Sequence, residues 1–396
     1  MARNAIAEKA ARDVESGSFI RRMFEEGREL RARYGAANVY DFTLGNPTAT
    51  PPQRFFDALK ATADAVEPAL HRYMPNAGFD EAREAVAAFL SAEYRTPIDR
   101  DGVLLTSGAA GAINVLLRAI CDPDDEVIVL TPYFPEYRFY IEHANARMVS
   151  VPTDARFQPD VARLAAAISP RTRAVLMNSP NNPTGAVYEQ AGLDEIAALL
   201  TKHDRPDRPI YLLLDDPYRR VLFDRAWCPT PLGKYHRAVV ASSYAKDLSI
   251  AGERMGYVAA PATVPERKML MDALTNLNRT LGFVNACAFL QRVITRCADA
   301  CCDVEPYRAN AELLCGALER FGYSLVRPAG ALYAFPRTPI DDREFTTLLK
   351  ERERILVVPG SGFAGAGHVR VSICVPRATI EAALPGFERA FQAARR

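Results

Sequence analysis

Residues 174–185 read Ala174-Val175-Leu176-Met177-Asn178-Ser179-Pro180-Asn181-Asn182-Pro183-Thr184-Gly185. The four apolar residues predict a buried strand, and the polar octamer behind them is dense in turn formers. An ordinary strand-to-helix loop would use Asn182 or Thr184 as a cap. Turn chemistry alone does not account for so particular an octamer, and the Asn182 amide becomes a candidate ligand contact. Outward from this stretch the same grammar repeats. Strand-like runs occur at 102–105, 126–130, 147–151, 210–214, 238–242 and 256–260, with helical patterns between them such as 111–121 and 191–203. This alternation predicts an α/β fold with a largely parallel, buried sheet and helices on both faces.

The tail reads differently. Short strands at 323–328, 331–335, 355–358 and 369–374 lie among helices at 309–321, 342–351 and 378–394, a smaller α+β unit. The expected division is 48–288 for the large unit, with 1–47 and 289–396 forming the small one. Ile20, Met23, Phe24 and Leu30 have helical spacing near the start.

Three further segments carry chemistry. Tyr211-Leu212-Leu213-Leu214-Asp215-Asp216-Pro217-Tyr218 is an apolar strand ending in two acids and a tyrosine. Ligands of open α/β sheets lie beyond the carboxyl ends of strands, and a carboxylate buried there needs a cationic partner. Ser242-Ser243-Tyr244-Ala245-Lys246 continues to Arg254, bringing an amine, a hydroxyl and a guanidinium into one run. An amine can form a Schiff base with an aldehyde cofactor, and the other two groups suit its phosphate. In His368-Val369-Arg370-Val371-Ser372, Arg370 stands mid-strand between apolar neighbours, where it suits a bidentate carboxylate clamp. Taken singly, each has a plain reading: a solvated lysine, an acidic turn, an edge-strand arginine.

Together, and in this order, the motifs resemble the class I/II aminotransferases, the aspartate-aminotransferase-like enzymes of fold type I that use pyridoxal 5′-phosphate (PLP). The resemblance runs from about Tyr40 to the C-terminus. It implies a large domain with a mostly parallel seven-stranded sheet flanked by helices, and a smaller α+β domain. Lys246 matches the lysine of the internal aldimine, and Asp215, three residues before Tyr218, the acid that pairs with the pyridinium nitrogen. Tyr218 and Asn182 match the donors to the ring oxygen, and Ser243 and Arg254 the phosphate-binding side chains. Gly108, Ala109 and Ala110 look like the phosphate cup, where backbone N–H groups and a helix dipole hold the anion. Phe134 matches the aromatic that stacks on the ring, with Tyr133 its near rival. Tyr73 is similar to the tyrosine that reaches the phosphate of the neighbouring subunit, which implies a homodimer with shared active sites. Gly45 matches the glycine whose backbone lies beside the substrate, and Arg370 the clamp on its α-carboxylate.

Departures concern detail: Ala245 replaces a common hydroxyl residue before the lysine, Asn46-Pro47-Thr48 lacks an acid, and the cup carries no side-chain hydroxyls. The implied reaction moves an amino group from an L-amino acid to a 2-oxo acid by a ping-pong course. The same electron sink also serves elimination, substitution or decarboxylation, which these residues separate poorly. A second substrate carboxylate would need another arginine, with Arg21, Arg22 and Arg72 nominal candidates, whereas Tyr333 and Phe363 suit an apolar wall. Ile20 and Met23 could border the same pocket.

Composition agrees with this reading. The chain has 396 residues, enough for two domains, and 49% are hydrophobic. Its 49 basic and 48 acidic residues leave a formal charge of +1, so no global field favours nucleic acid. A PLP-sensing regulator would need a DNA-binding module ahead of Tyr40, where no room is expected. Eight scattered cysteines without histidines at ligand spacing predict reduced thiols and no metal site. Residues 1–15 have no apolar signal core and no run is long enough to span a membrane, so a cytoplasmic protein is expected.

Overall fold

The computed structural model describes residues 6–15, 19–65 and 70–396, with side chains for 6–14, 26–65 and 70–396. Ile20, Arg21, Arg22 and Met23 lie outside the described side chains.

Seven strands form one sheet: β1 (Val103–Ser107), β2 (Glu126–Thr131), β3 (Arg147–Pro152), β4 (Thr172–Asn178), β5 (Tyr211–Asp215), β6 (Ala238–Ser243) and β7 (Met255–Ala259). Their spatial order is β1-β7-β6-β5-β4-β2-β3. Every neighbouring pair is parallel except those of β7, which runs against both β1 and β6. The expected strand positions and the parallel character hold.

The sheet is buried on both faces because alternate residues of each strand feed different cores. Leu105, Ile128, Val175, Leu212 and Val240 pack with helices Gln53–Asp64, Asp80–Tyr94, Gln190–His203 and Ala288–Cys297. Leu104, Val127, Leu176, Leu213 and Val239 pack with helices Gly108–Ile120, Glu136–His143 and Arg267–Thr280. Such two-sided burial explains near-continuous apolar runs in place of a polar alternation.

A separate apolar cluster joins helices Glu305–Phe321 and Arg377–Ala394 to Ile355, Val357, Val371 and Ile373. Its strands are short. Val358–Pro359, Val369–Ser372 and Tyr333–Ala334 form an antiparallel trio, and Tyr40–Asp41 pairs in parallel with Ile355–Leu356. Phe42, fully buried in this cluster, ties the early chain to the late one. One expectation is corrected here: residues 323–328 are not a strand. Their pattern suits one, but no neighbouring strand forms a ladder with them, and a single bond from Arg337 N–H to the Ser324 carbonyl (2.8 Å) stands in its place. Helix Asp342–Leu348 continues as a wider-turned segment, Leu349–Glu353, across the expected 342–351.

No helix among the described residues is long and apolar enough to cross a membrane.

Candidate active site

The carboxyl ends of β1, β4, β5 and β6 meet at one edge of the sheet, because they are parallel and in register: Asn178 lies opposite Asp215, and Asp215 opposite Ala241. The reversed β7 brings its beginning to that same edge, pairing Met255 with Ser107 and Gly256 with Ser243. Arg254, the residue before β7, therefore arrives beside the first turn of the helix that follows β1. Two glycines permit the approach. A Cβ on Gly256 would sit 2.4 Å from the Gly108 carbonyl carbon, and a Cβ on Gly108 2.6 Å from Arg254 Nη2. Gly108 also has φ +70°, where glycine is unstrained. Ser107 makes no side-chain cap, so the first N–H groups of helix Gly108–Ile120 stay available to an anion.

Above this edge lies a cavity of about 470 Å³. It is lined by Gly45, Ala109, Ala110, Phe134, Asn182, Asp215, Tyr218, Ser243, Lys246, Arg254 and Arg370, eleven of the thirteen residues singled out from sequence. Gly108 is a neighbour of this wall through Arg254. Tyr73 is not brought in: it is 90% exposed and lies with Arg72 at a separate surface depression. Tyr133 packs on Tyr137 with ring centroids 6.5 Å apart, leaving the cavity wall to Phe134.

The two acids after β5 face different surroundings. Asp216 accepts from Tyr94 Oη (2.9 Å) and lies 3.7 Å from Arg219 Nη1, so its charge is already met. Asp215 accepts from Tyr137 Oη at Oδ2, while Oδ1, also buried, has no partner. Burial pushes the Asp215 carboxyl up to about 7, partly opposed by the Tyr137 hydrogen bond. A cationic group placed at Oδ1 would restore the ionised form.

Lys246 sits in the short helix Tyr244–Asp247, capped by Ser243 Oγ, which accepts from Ala245 N–H (3.4 Å). Its Nζ donates to the Gly45 carbonyl (2.6 Å) and lies 5.6 Å from the centre of the Tyr218 ring. Burial first, then the nearby Arg370 and Arg254, lower its ammonium to about 8.

Arg370 is 1% exposed. It donates to Asn182 Oδ1 (2.9 Å) and to the Thr43 carbonyl (2.5 Å), and its guanidinium carbon lies 4.4 Å from the Tyr333 ring centre and 4.7 Å from that of Phe363. Its Nε has no partner, and no ion pair to a described carboxylate is formed. A buried guanidinium without an anion suits a carboxylate supplied from outside. Since Asn182 Oδ1 is taken by Arg370, the Asn182 Nδ2 donors remain for a ligand oxygen.

Four contributors were not legible as site residues. Tyr137 stands one helical turn after Phe134 and holds Asp215. Asn178, the polar end of β4, donates to the Asp215 carbonyl (2.7 Å) and accepts from Asn182 N–H (2.7 Å). Tyr140 and Glu136 complete the wall from the same helix. The signal available was helical spacing from Phe134, which is shared by any core tyrosine.

The fold and this cavity define an α/β scaffold whose site gathers one amine, one open carboxylate and two guanidiniums, Arg254 and Arg370, without a described carboxylate partner. The sequence model of aminotransferase class I and II matches residues 37–387. The chain is 33% identical over 377 residues to the probable aspartate/prephenate aminotransferase of Thermus aquaticus, covering 92% of this chain and 94% of that one. The crystal structure of an aminotransferase from Eubacterium rectale superposes with a TM-score of 0.94 at 36% identity, covering 99% and 100% of the two chains. The aspartate aminotransferase of Thermus thermophilus with maleate gives 0.86 at 29% identity, covering 98% and 100%. The chain belongs to the class I and II aminotransferase family, and it is a transferase of the PLP-dependent kind.

Proposed function

We propose that this protein moves the amino group of an L-amino acid to a 2-oxo acid in two half-reactions of a ping-pong course, with PLP held covalently by Lys246 between turnovers. The observation that carries this reading is that the Lys246 amine, the Asp215 carboxylate with its unpartnered Oδ1, and the Arg370 guanidinium without an anion line one cavity. Each charge lacks the partner that a cofactor or an amino acid would supply.

The residues present fit PLP. The N-terminus of helix Gly108–Ile120 with Ala109 and Ala110, together with Ser243 and Arg254, suits the phosphate. Asp215 suits the ring nitrogen, Tyr218 and Asn182 the ring oxygen, and Phe134 the ring face. When bound, PLP supplies a protonated ring that withdraws electrons from the amino acid's α-carbon. Arg370 would grip the α-carboxylate beside the Gly45 backbone, fixing the α C–H bond toward Lys246 and saving orientational entropy. Lys246, with its ammonium lowered to about 8 by burial, is poised as the base that takes and returns that proton. Asp215, ionised once a cation meets its open Oδ1, would keep the ring nitrogen charged.

We also divide the chain into a large unit, 48–288, and a small unit, 1–47 with 289–396. A separate apolar cluster in the late chain supports the division, although helix Ala288–Cys297, placed with the small unit, packs through Leu290, Val293 and Ile294 into the sheet's core. A homodimer in which Tyr73 crosses to the other chain's phosphate follows from its match in the family and is compatible with its 90% exposure. Eight free cysteines support a reducing, cytoplasmic setting.

The test is the visible spectrum of the PLP-loaded protein, followed by addition of single amino acids without any keto acid. Conversion of the yellow form to the aminated cofactor with release of one keto acid supports the reading. Persistence of the yellow form with every donor contradicts transamination.

A further inference from the structure

We propose that Tyr333 is a positioning residue that joins the carboxylate clamp to the tyrosine on the cofactor's ring oxygen, an inference that rests on the reading above. Tyr333 belongs to the short strand Tyr333–Ala334 and is 3% exposed. Its hydroxyl lies 3.1 Å from the Tyr218 hydroxyl. Its ring centre lies 4.4 Å from the Arg370 guanidinium carbon, which also lies 4.7 Å from the Phe363 ring centre. One side chain thus contacts the groups assigned to the substrate carboxylate and to the ring oxygen.

The two contacts do different work. The aromatic faces stabilise a buried cation that has no anion of its own and hold the plane of its fork. The hydroxyl acts on Tyr218. A phenol has one proton and can also accept, so when Tyr333 donates to the Tyr218 oxygen the Tyr218 proton turns to the cavity. Such a chain polarises its second member and strengthens the bond that Tyr218 donates onward. The position is sterically reserved as well. A Cβ on residue 45 would lie 1.8 Å from Tyr333 Oη, so Gly45 is what admits the hydroxyl. The Gly45 carbonyl accepts from Lys246 Nζ (2.6 Å), so the amine borders the same crowded spot.

The experiment compares wild type, Tyr333→Phe and Tyr333→Leu as PLP-loaded proteins. Two readouts are used: the pH titration of the visible absorption band, and the dissociation constant of propionate followed through that band. A bond from Tyr218 stabilises negative charge on the ring oxygen, so weakening it raises the pH at which the band titrates. Tyr333→Phe keeps the aromatic face and removes the hydroxyl: the band titrates at higher pH while propionate affinity is unchanged. Tyr333→Leu removes both, and propionate affinity also falls roughly 3- to 30-fold. A Tyr333→Phe band that titrates as in wild type overturns the proposal, because a merely structural tyrosine would not separate the two readouts. Should the leucine variant fail to fold, the phenylalanine variant decides alone. A wild-type protein that takes up no PLP overturns the underlying reading and this inference with it. A wild type that binds propionate, loses it in Arg370→Ala and shows no Tyr333→Phe shift overturns this inference only.

Discussion

Arg370 donates to the side-chain oxygen of Asn182 across 2.9 Å, although the two residues stand 188 positions apart. The bond fixes both: it aims the guanidinium, and it leaves the Asn182 donors facing outward. Arg370→Lys keeps the charge but loses the planar fork. Its kcat/KM for amino acids should fall about 10- to 100-fold, the scale of a lost charge-assisted hydrogen bond. Steady-state kinetics with saturating keto acid measure it. An unchanged KM would argue against the clamp.

Lys246→Ala should lower turnover by more than about 10³-fold, since the proposed mechanism gives this one side chain both attachment and proton transfer. The variant should still bind PLP through the phosphate cradle, as equilibrium dialysis would record. The wild-type amine must be neutral to attack an aldehyde, so PLP uptake by the cofactor-free protein should accelerate as pH rises through about 8. A pH-independent uptake rate would contradict the role of Lys246.

Asp215 gives the cofactor-free protein a pH-dependent stability of defined sign. Its folded pKa of about 7 lies above the ordinary carboxylate value near ~3.9, so the folded state holds the proton more tightly. The contribution is fully present below about pH 4 and is lost as pH rises through about 7, amounting to at most about 4 kcal/mol. Asp215→Asn should therefore melt higher than wild type at pH 8 without PLP, and no higher at pH 4. With PLP bound the same substitution should cost activity. Melting curves of both proteins at the two pH values decide it.

Gly256→Ala should destabilise the protein by about 1–3 kcal/mol, because its Cβ meets Gly108 backbone at 2.4 Å and backbone cannot swing aside. Urea unfolding of the cofactor-free protein measures the loss. PLP affinity should fall in parallel as Arg254 moves off the helix terminus. A fully stable Gly256→Ala protein would show that the contact can relax.

The sheet was readable because two-sided burial leaves apolar runs such as Leu212–Leu214 that need no partner to be recognised. The small unit was harder. Its strands are two to four residues long, and 323–328 has a strand's pattern without a neighbour to pair with. Pairing is a property of two segments, and one segment's sequence does not contain it. The site divides the same way. Lys246, Asp215 and Arg370 each had a plain reading alone, and only their joint order along the chain made them legible, whereas their burial, costly without a partner, appears only in the folded chain. Tyr137 and Asn178 act on Asp215 only through positions that folding creates, and Tyr333 was readable only as a possible wall.

The reversal of β7 has a consequence for assembly. Arg254 reaches the cradle only after β7 has slotted between β1 and β6, strands separated by more than a hundred residues of chain. On the proposed assignment a partly folded chain has no complete phosphate grip, and PLP would recognise the finished sheet alone. By mass action, PLP at a hundred times its dissociation constant would favour the native state by about 2.7 kcal/mol. Vitamin supply would then set how long the protein survives proteolysis, as well as how fast it works.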